Sequence, residues 1–237
     1  TMALQPAIEG MLGYQPDALK HQISLKPWFP ADWSTVKVSG IRIGDEKISM
    51  EAWKHGGMEA GKRGSGEEVG FVSTYYFSKE PTGRLDMHFQ PVFPPGSVIQ
   101  KIRVNGLPAK DPGLRETEQG WVIPDFGFWL DSVATVEIYW EGGITALPVI
   151  SHPKPGDRSE GLRIINTTYS KGEYSITVEG LHSKQYDLKV WAADPDKYKV
   201  EGIEIKDISG NIITLTIDLP DSETKYTMKK VVLSVEF

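Results

Sequence analysis

Beyond the first twenty or so residues, apolar side chains recur at every second position. Val36 and Val38 flank Lys37, and Ile41 and Ile43 flank Arg42, an alternation that predicts half-buried strands. The apolar parity slips by one across Ser39 and Gly40, which predicts a β-bulge or a break at Gly40. Ile48 and Met50 repeat the alternation, as do Leu85, Met87 and Phe89, then Ile102 and Val104, then Val136, Ile138 and Trp140. Residues 69–77 are mostly aromatic or β-branched, a composition that favours a strand. Downstream, Tyr174, Ile176 and Val178 alternate with polar residues, as do Tyr186, Leu188 and Val190, Ile213 through Leu219, and Val231 through Phe237. Lys171-Gly172, Gly180 and Gly210-Asn211 punctuate them. Short strands at roughly ten-residue spacing with turn residues between them predict antiparallel sandwiches.

The one helical pattern is at the start. Leu4, Ile8, Met11 and Leu12 share a helical spacing, Gly13 stands where a C-cap takes a positive φ, and Pro16 blocks continuation. Alternation also stops between Gly142 and Gly161, where Pro148, Pro153 and Pro155 sit with Gly156, Asp157 and Ser159. Such a stretch reads as a linker or a long loop. The expected architecture is all-β: a short helix within residues 1–20, a first antiparallel sandwich over 21–146 and a second over 147–237.

Charge narrows the function classes. The net charge is −6, with Lys and Arg scattered singly, which argues against a nucleic-acid partner. There is no cysteine, so disulfides, thiolate metal sites and thiol catalysis are excluded. No apolar run reaches the roughly 18 residues of a membrane span. No basic-then-apolar leader opens the chain, and its start, Thr1-Met2, suggests a piece of a longer parent.

Motifs for chemistry are scarce. Gly61, Gly64 and Gly66 lack the order of a phosphate loop, and Gly57 to Gly66 reads as a hairpin loop. His21, His55, His88, His152 and His182 lie far apart, none at metal-ligand spacing with another. Asp187, Asp194 and Asp196 lack the turn glycine of a calcium loop. Glu9 stands out only by lying on the helical segment, where a solvated carboxylate is the plainer reading. No catalytic residue, metal ligand or cofactor is therefore expected. The aromatic residues are more informative. Trp121, Phe126, Phe128 and Trp129 cluster around Pro124, Asp125 and Gly127, and Trp28, Phe29 and Trp33 cluster between Pro27 and Pro30. Rings on loops could stack on sugars; rings in a core or interface supply burial energy, the commoner role. Trp121, Phe126, Phe128 and Trp129 are the candidate carbohydrate-binding residues.

Residues 8–19 read Ile-Glu-Gly-Met-Leu-Gly-Tyr-Gln-Pro-Asp-Ala-Leu, followed by Leu25-Lys-Pro-Trp-Phe-Pro-Ala-Asp-Trp33 and Val36-Lys-Val-Ser-Gly-Ile-Arg-Ile-Gly44. These stretches resemble the end of bacterial glycosidases with an (α/α)6 barrel, especially the glycogen-debranching, amylo-α-1,6-glucosidase-like group. There the last barrel helix turns through a Pro-Asp-Ala segment into β-strands. The resemblance covers about 40 residues and consists of connectors, so no catalytic residue is carried over. The last ~75 residues resemble the immunoglobulin-like appendages of bacterial glycosidases. The resemblance implies a non-catalytic C-terminal accessory region, partnered by the upstream barrel of its parent and in contact with a poly- or oligosaccharide. It leans toward the periplasm or cell surface. A stand-alone carbohydrate-binding protein and an adhesive sandwich without a sugar ligand are the other readings.

Overall fold

The computed structural model describes residues 10–56, 70–149 and 160–235. Leu4, Ile8, Glu9, His152, the 57–66 loop and the centre of the Pro- and Gly-rich stretch lie outside the described residues. In chain order, β1 (Gln15–Asp17), β2 (Gln22–Leu25), β3 (Thr35–Ile43), β4 (Glu46–Gly56), β5 (Phe71–Lys79), β6 (Leu85–Phe89), β7 (Ser97–Val104), β8 (Leu107–Pro108), β9 (Gly113–Glu116), β10 (Val122–Leu130) and β11 (Val133–Gly142) form two sheets, ordered β1-β2-β6-β10-β9 and β3-β4-β5-β11-β7-β8. β12 (Ile144–Ala146), β13 (Arg163–Ser170), β14 (Glu173–Leu181), β15 (Gln185–Ala192), β16 (Tyr198–Val200), β17 (Glu204–Ser209), β18 (Ile212–Asp218) and β19 (Tyr226–Val235) form two more, ordered β12-β15-β18-β17 and β13-β14-β19-β16. The fold is all-β, and its sheets face one another as sandwiches.

Local chemistry explains the strand limits. The helical turn ends at Leu12, and Gly13 leaves it at φ +53°, so close to Lys26 that a Cβ would lie 2.6 Å from the Lys26 Cβ. The carbonyls of Met11 and Leu12 accept from Trp28 N–H and Lys26 N–H, at 2.8 Å each. Gln15–Asp17, within the first twenty residues, is a strand paired with β2. The parity slip is a register shift of β3 against β4 between Val38 and Ile41, with Gly40 at φ +73°. One pairing is parallel, β2 on β6, because the chain crosses through β3, β4 and β5 in the other sheet before it returns.

The first sandwich closes over aromatic rings. Phe89 meets Tyr75 and Phe77 of the facing sheet at 4.9 and 5.3 Å between centroids, and Phe128 meets Phe77 at 5.5 Å. Ile23, Leu25, Ile48, Met50, Leu85 and Met87 are wholly buried around them. The second core holds Ile144, Tyr174, Ile176, Leu188, Leu215 and Leu233. Its order β12-β15-β18-β17 is that of the A-B-E-D sheet of an immunoglobulin sandwich, and β16 and β19 stand where C and F do. The G position is taken by β14, which comes earlier in the chain than its neighbour β19.

The sandwiches share side chains. Trp191, on β15, is 2% exposed and belongs to the first core, 5.6 Å from Phe71 and 6.0 Å from Trp140. The Lys54 ammonium lies 4.5 Å from the Trp191 ring centroid and donates to the Ala31 carbonyl. Tyr169 of β13 presses on two glycines of the first sandwich. A Cβ at Gly96 would come 2.6 Å from its ring, and one at Gly120 2.7 Å from its Cβ. Burial there pushes the Tyr169 hydroxyl above its usual pKa, and Glu116 adds to the effect.

Burial pulls the Lys54 amine down to about 8, against a weaker opposing pull from Asp32. The unfolded chain holds this proton until about pH 10.5, whereas the native state releases it near 8. The unfolded state thus binds more protons across that window, and stability rises with pH. Urea denaturation at pH 7 and pH 9.5 should show the native chain gaining about 2 kcal/mol relative to Lys54→Met. Equal slopes in the two proteins would refute the assignment. Gly120→Ala, at φ +86° and against a backbone-proximal atom, should cost about 1–3 kcal/mol in the same assay.

Candidate functional site

The strand period decides what β10 presents. Val122, Phe126, Phe128 and Leu130 point inward, while Trp121, Ile123, Asp125, Gly127 and Trp129 share the outer face. Phe126 and Phe128 are 3% and 8% exposed and sit in the core. Trp129 is 50% exposed and stacks on the Arg84 guanidinium at 4.5 Å. Of the candidate rings, Trp121 and Trp129 can meet a ligand. The segment is strand and not loop. Pro124, which lacks an N–H, lies opposite Leu114 of β9, one residue before that pairing ends at Asp125 and β6 takes over at Phe126.

Trp121 stands at the mouth of a groove of about 550 Å³ between the sandwiches, within the size range of small-ligand sites. One wall carries Trp28, Val92, Thr117, Gln119, Trp121 and Ile123; the other carries Thr145, Ala146, Ile164, Asn166, Thr167 and Tyr174. Trp28 meets Trp121 edge-on, with centroids 5.0 Å apart, and is 49% exposed. The main chain behind both rings is tied down. Trp28 N–H donates to Met11 O at 2.8 Å, and Trp121 N–H donates to Thr117 Oγ1 at 3.1 Å, closing the β9–β10 turn. The lining mixes aliphatic side chains, Val92, Ile123, Ile164 and Ile165 among them, with aromatic, amide and hydroxyl groups, and Lys26 is its charged member. A tryptophan pair beside amide and hydroxyl side chains, with aliphatic residues around them, suits a ligand that offers both C–H and hydroxyl groups.

A smaller cavity, about 70 Å³, lies beneath residues 27–36 and is lined by Phe29, Ala31, Trp33 and Lys54 among others. It is too small for a sugar ring. Phe29 packs on the first core and Trp33 stays half-exposed.

Outside the groove, three neighbouring strands bring Ser24, His88 and Asp125 together on the outer face. His88 Nε2 lies 2.5 Å from Asp125 Oδ1, and His88 Nδ1 lies 3.1 Å from Ser24 Oγ. An ionised carboxylate only accepts, so Nε2 carries the proton toward Asp125 and the Ser24 hydroxyl donates to Nδ1. Gln90 Nε2 and Arg115 Nη2 hold the other carboxylate oxygen at 2.7 and 3.2 Å. The spacing of His88 and Asp125 in the chain gave no sign of this cluster; only strand pairing creates it. Ser24 lies inside a strand paired on both sides, so its neighbouring N–H groups point into the ladders and not at an oxyanion. The cluster reads as a cross-strand polar network.

Asp187 and Asp194 are paired with Lys206 and Lys197 at 2.6 and 2.7 Å. Among the described residues no group of three or more His, Cys, Asp or Glu is placed to hold a metal ion, and no helix is long and apolar enough to cross a membrane.

No protein-family model matches the chain, and no curated protein matches it. Among solved structures it is similar to uncharacterized protein lmo2446 from Listeria monocytogenes EGD-e, at 10% identity and a TM-score of 0.34, over 90% of this chain and 21% of that one. The chain thus spans about a fifth of that protein's length, and a likeness of this size bears on neither family nor function.

Proposed function

We propose that the chain is the non-catalytic C-terminal accessory region of a carbohydrate-active enzyme, and that its inter-sandwich groove holds an oligosaccharide. The observation that carries the binding half is the Trp28–Trp121 pair, a half-exposed ring against a partly buried one, at a groove whose lining includes amides and hydroxyls. Rings in that setting offer apolar faces to the C–H side of a sugar, and Gln119, Asn166 and Thr167 supply donors and acceptors for its hydroxyls. The accessory half is supported by the resemblance of residues 8–44 to the barrel-to-sheet connector of debranching-type glycosidases. On this reading the division into two sandwiches positions the groove, and the upstream barrel supplies the catalytic carboxylates.

Native electrophoresis through gels containing glycogen, pullulan or a mixed-linkage β-glucan tests the reading. At least one should retard the wild-type chain, and Trp121→Ala should weaken that retention about tenfold, the loss of roughly one stacked ring. Mobility unchanged in all three gels would sink the binding half. The isolated chain should release no nitrophenol from aryl glycosides; turnover by it would sink the accessory half.

A further inference from the structure

One residue on the outer face of the five-stranded sheet is a glycine that neither its backbone angle nor the space around it requires. Gly127 lies inside β10, opposite His88. Its φ is not in the left-handed region, and an added Cβ would meet nothing nearer than the Met87 carbonyl oxygen at 3.6 Å, an ordinary contact. Glycine inside a strand weakens it, and it recurs where a ligand approaches the backbone closely. Here it leaves an open floor between Asp125 and Trp129, beside a partly exposed His88. Trp129 closes the far end. Arg84 occupies one face of its indole, which leaves the other face to solvent.

The cations along this floor are matched within the protein. Asp125 takes His88 and Arg115, and Arg84 Nε lies 3.8 Å from Asp131 Oδ1. A carboxylate-bearing ligand would find no uncommitted cation there, whereas hydroxyl groups can share the donors and acceptors already in place. Trp121 and Trp129 are separated by eight residues of strand, roughly 26 Å, a span that calls for a polymer.

We propose that this floor is a second subsite, carrying a neutral polysaccharide chain from the Trp28–Trp121 groove across Gly127 to Trp129. The inference rests on the groove reading above. Gly127→Gln and Trp129→Ala test it in the same three gels and in a fourth containing polygalacturonate, with Trp121→Ala alongside and with maltose and cellobiose binding measured by calorimetry. Gly127→Gln should melt at or above the wild-type temperature, because any side chain suits the strand better than glycine, yet lose about tenfold in polysaccharide retention. Trp129→Ala should lose a similar factor, and neither variant should change the disaccharide affinity, which belongs to the groove. Wild-type retention by both variants, with Trp121→Ala impaired, would overturn the second subsite and leave the groove reading intact. A clear drop in the Gly127→Gln melting temperature would also overturn it, by giving the glycine a structural cause. Retention of the wild type by polygalacturonate alone would overturn the neutral assignment. Failure of the wild type in every gel would bring down both readings together.

Discussion

Trp191 belongs to one sandwich by its backbone and to the other by its side chain. β15 carries it into the second sandwich, where it pairs with Thr145 and Ile212, while its indole lies with Phe71 and Trp140 in the first core. Burying an aromatic side chain of this size is worth about 2–3 kcal/mol, a sizeable part of a domain's net stability. That burial is lost if the sandwiches separate. Tyr169 against Gly96 and Gly120 adds a second point of contact, so the two bodies are fixed in rotation as well as in distance. The groove is a consequence. Its walls come from both sandwiches, and its width holds only while these contacts do.

Lys54 shows what such a junction costs. Its ammonium lies against Trp191 and Phe71, where the ring faces favour the charge. Yet burial draws the amine to about 8, outweighing the opposing pull of Asp32. The residue covers the exposed edge of the aromatic cluster with its methylenes and keeps one hydrogen bond, to Ala31 O. A cation at a domain junction is here a packing element first and a charge second.

Strand content was legible because burial on one face writes a period of two into the sequence. Val36 to Ile43, Val136 to Trp140 and Ile213 to Leu219 announce their strands, and the parity slip at Gly40 announces the register shift of β3. β2 and β10 were less plain. β2 is short, and Pro124, Asp125 and Gly127 break the composition of β10 into what reads as a loop. Its parity was nonetheless there to be read: placing Phe126 and Phe128 on the even face would have separated them from Trp121 and Trp129. What no local pattern contains is the meeting of distant segments. The Trp28–Trp121 contact, the Ser24–His88–Asp125 network and the insertion of Trp191 each depend on strand order, and strand order follows from how whole faces are buried.

The outer face of the first sheet then poses a problem of negative selection. Strands favour β-branched and aromatic residues and disfavour aspartate and glycine. Along β10 that face carries isoleucine, aspartate, glycine and tryptophan, following Trp121 just before the strand. Ile123 is covered by the groove walls, and Asp125 is saturated by its three partners. Those two are explained by the fold. Trp129 and Gly127 are not: the first exposes half of a large apolar ring, and the second gives up strand stability for no steric return. Each departure is small alone. They are adjacent on one face, beyond Ile123 and Asp125 from the groove that bears Trp28 and Trp121, and a ligand lying along the strand explains both at once.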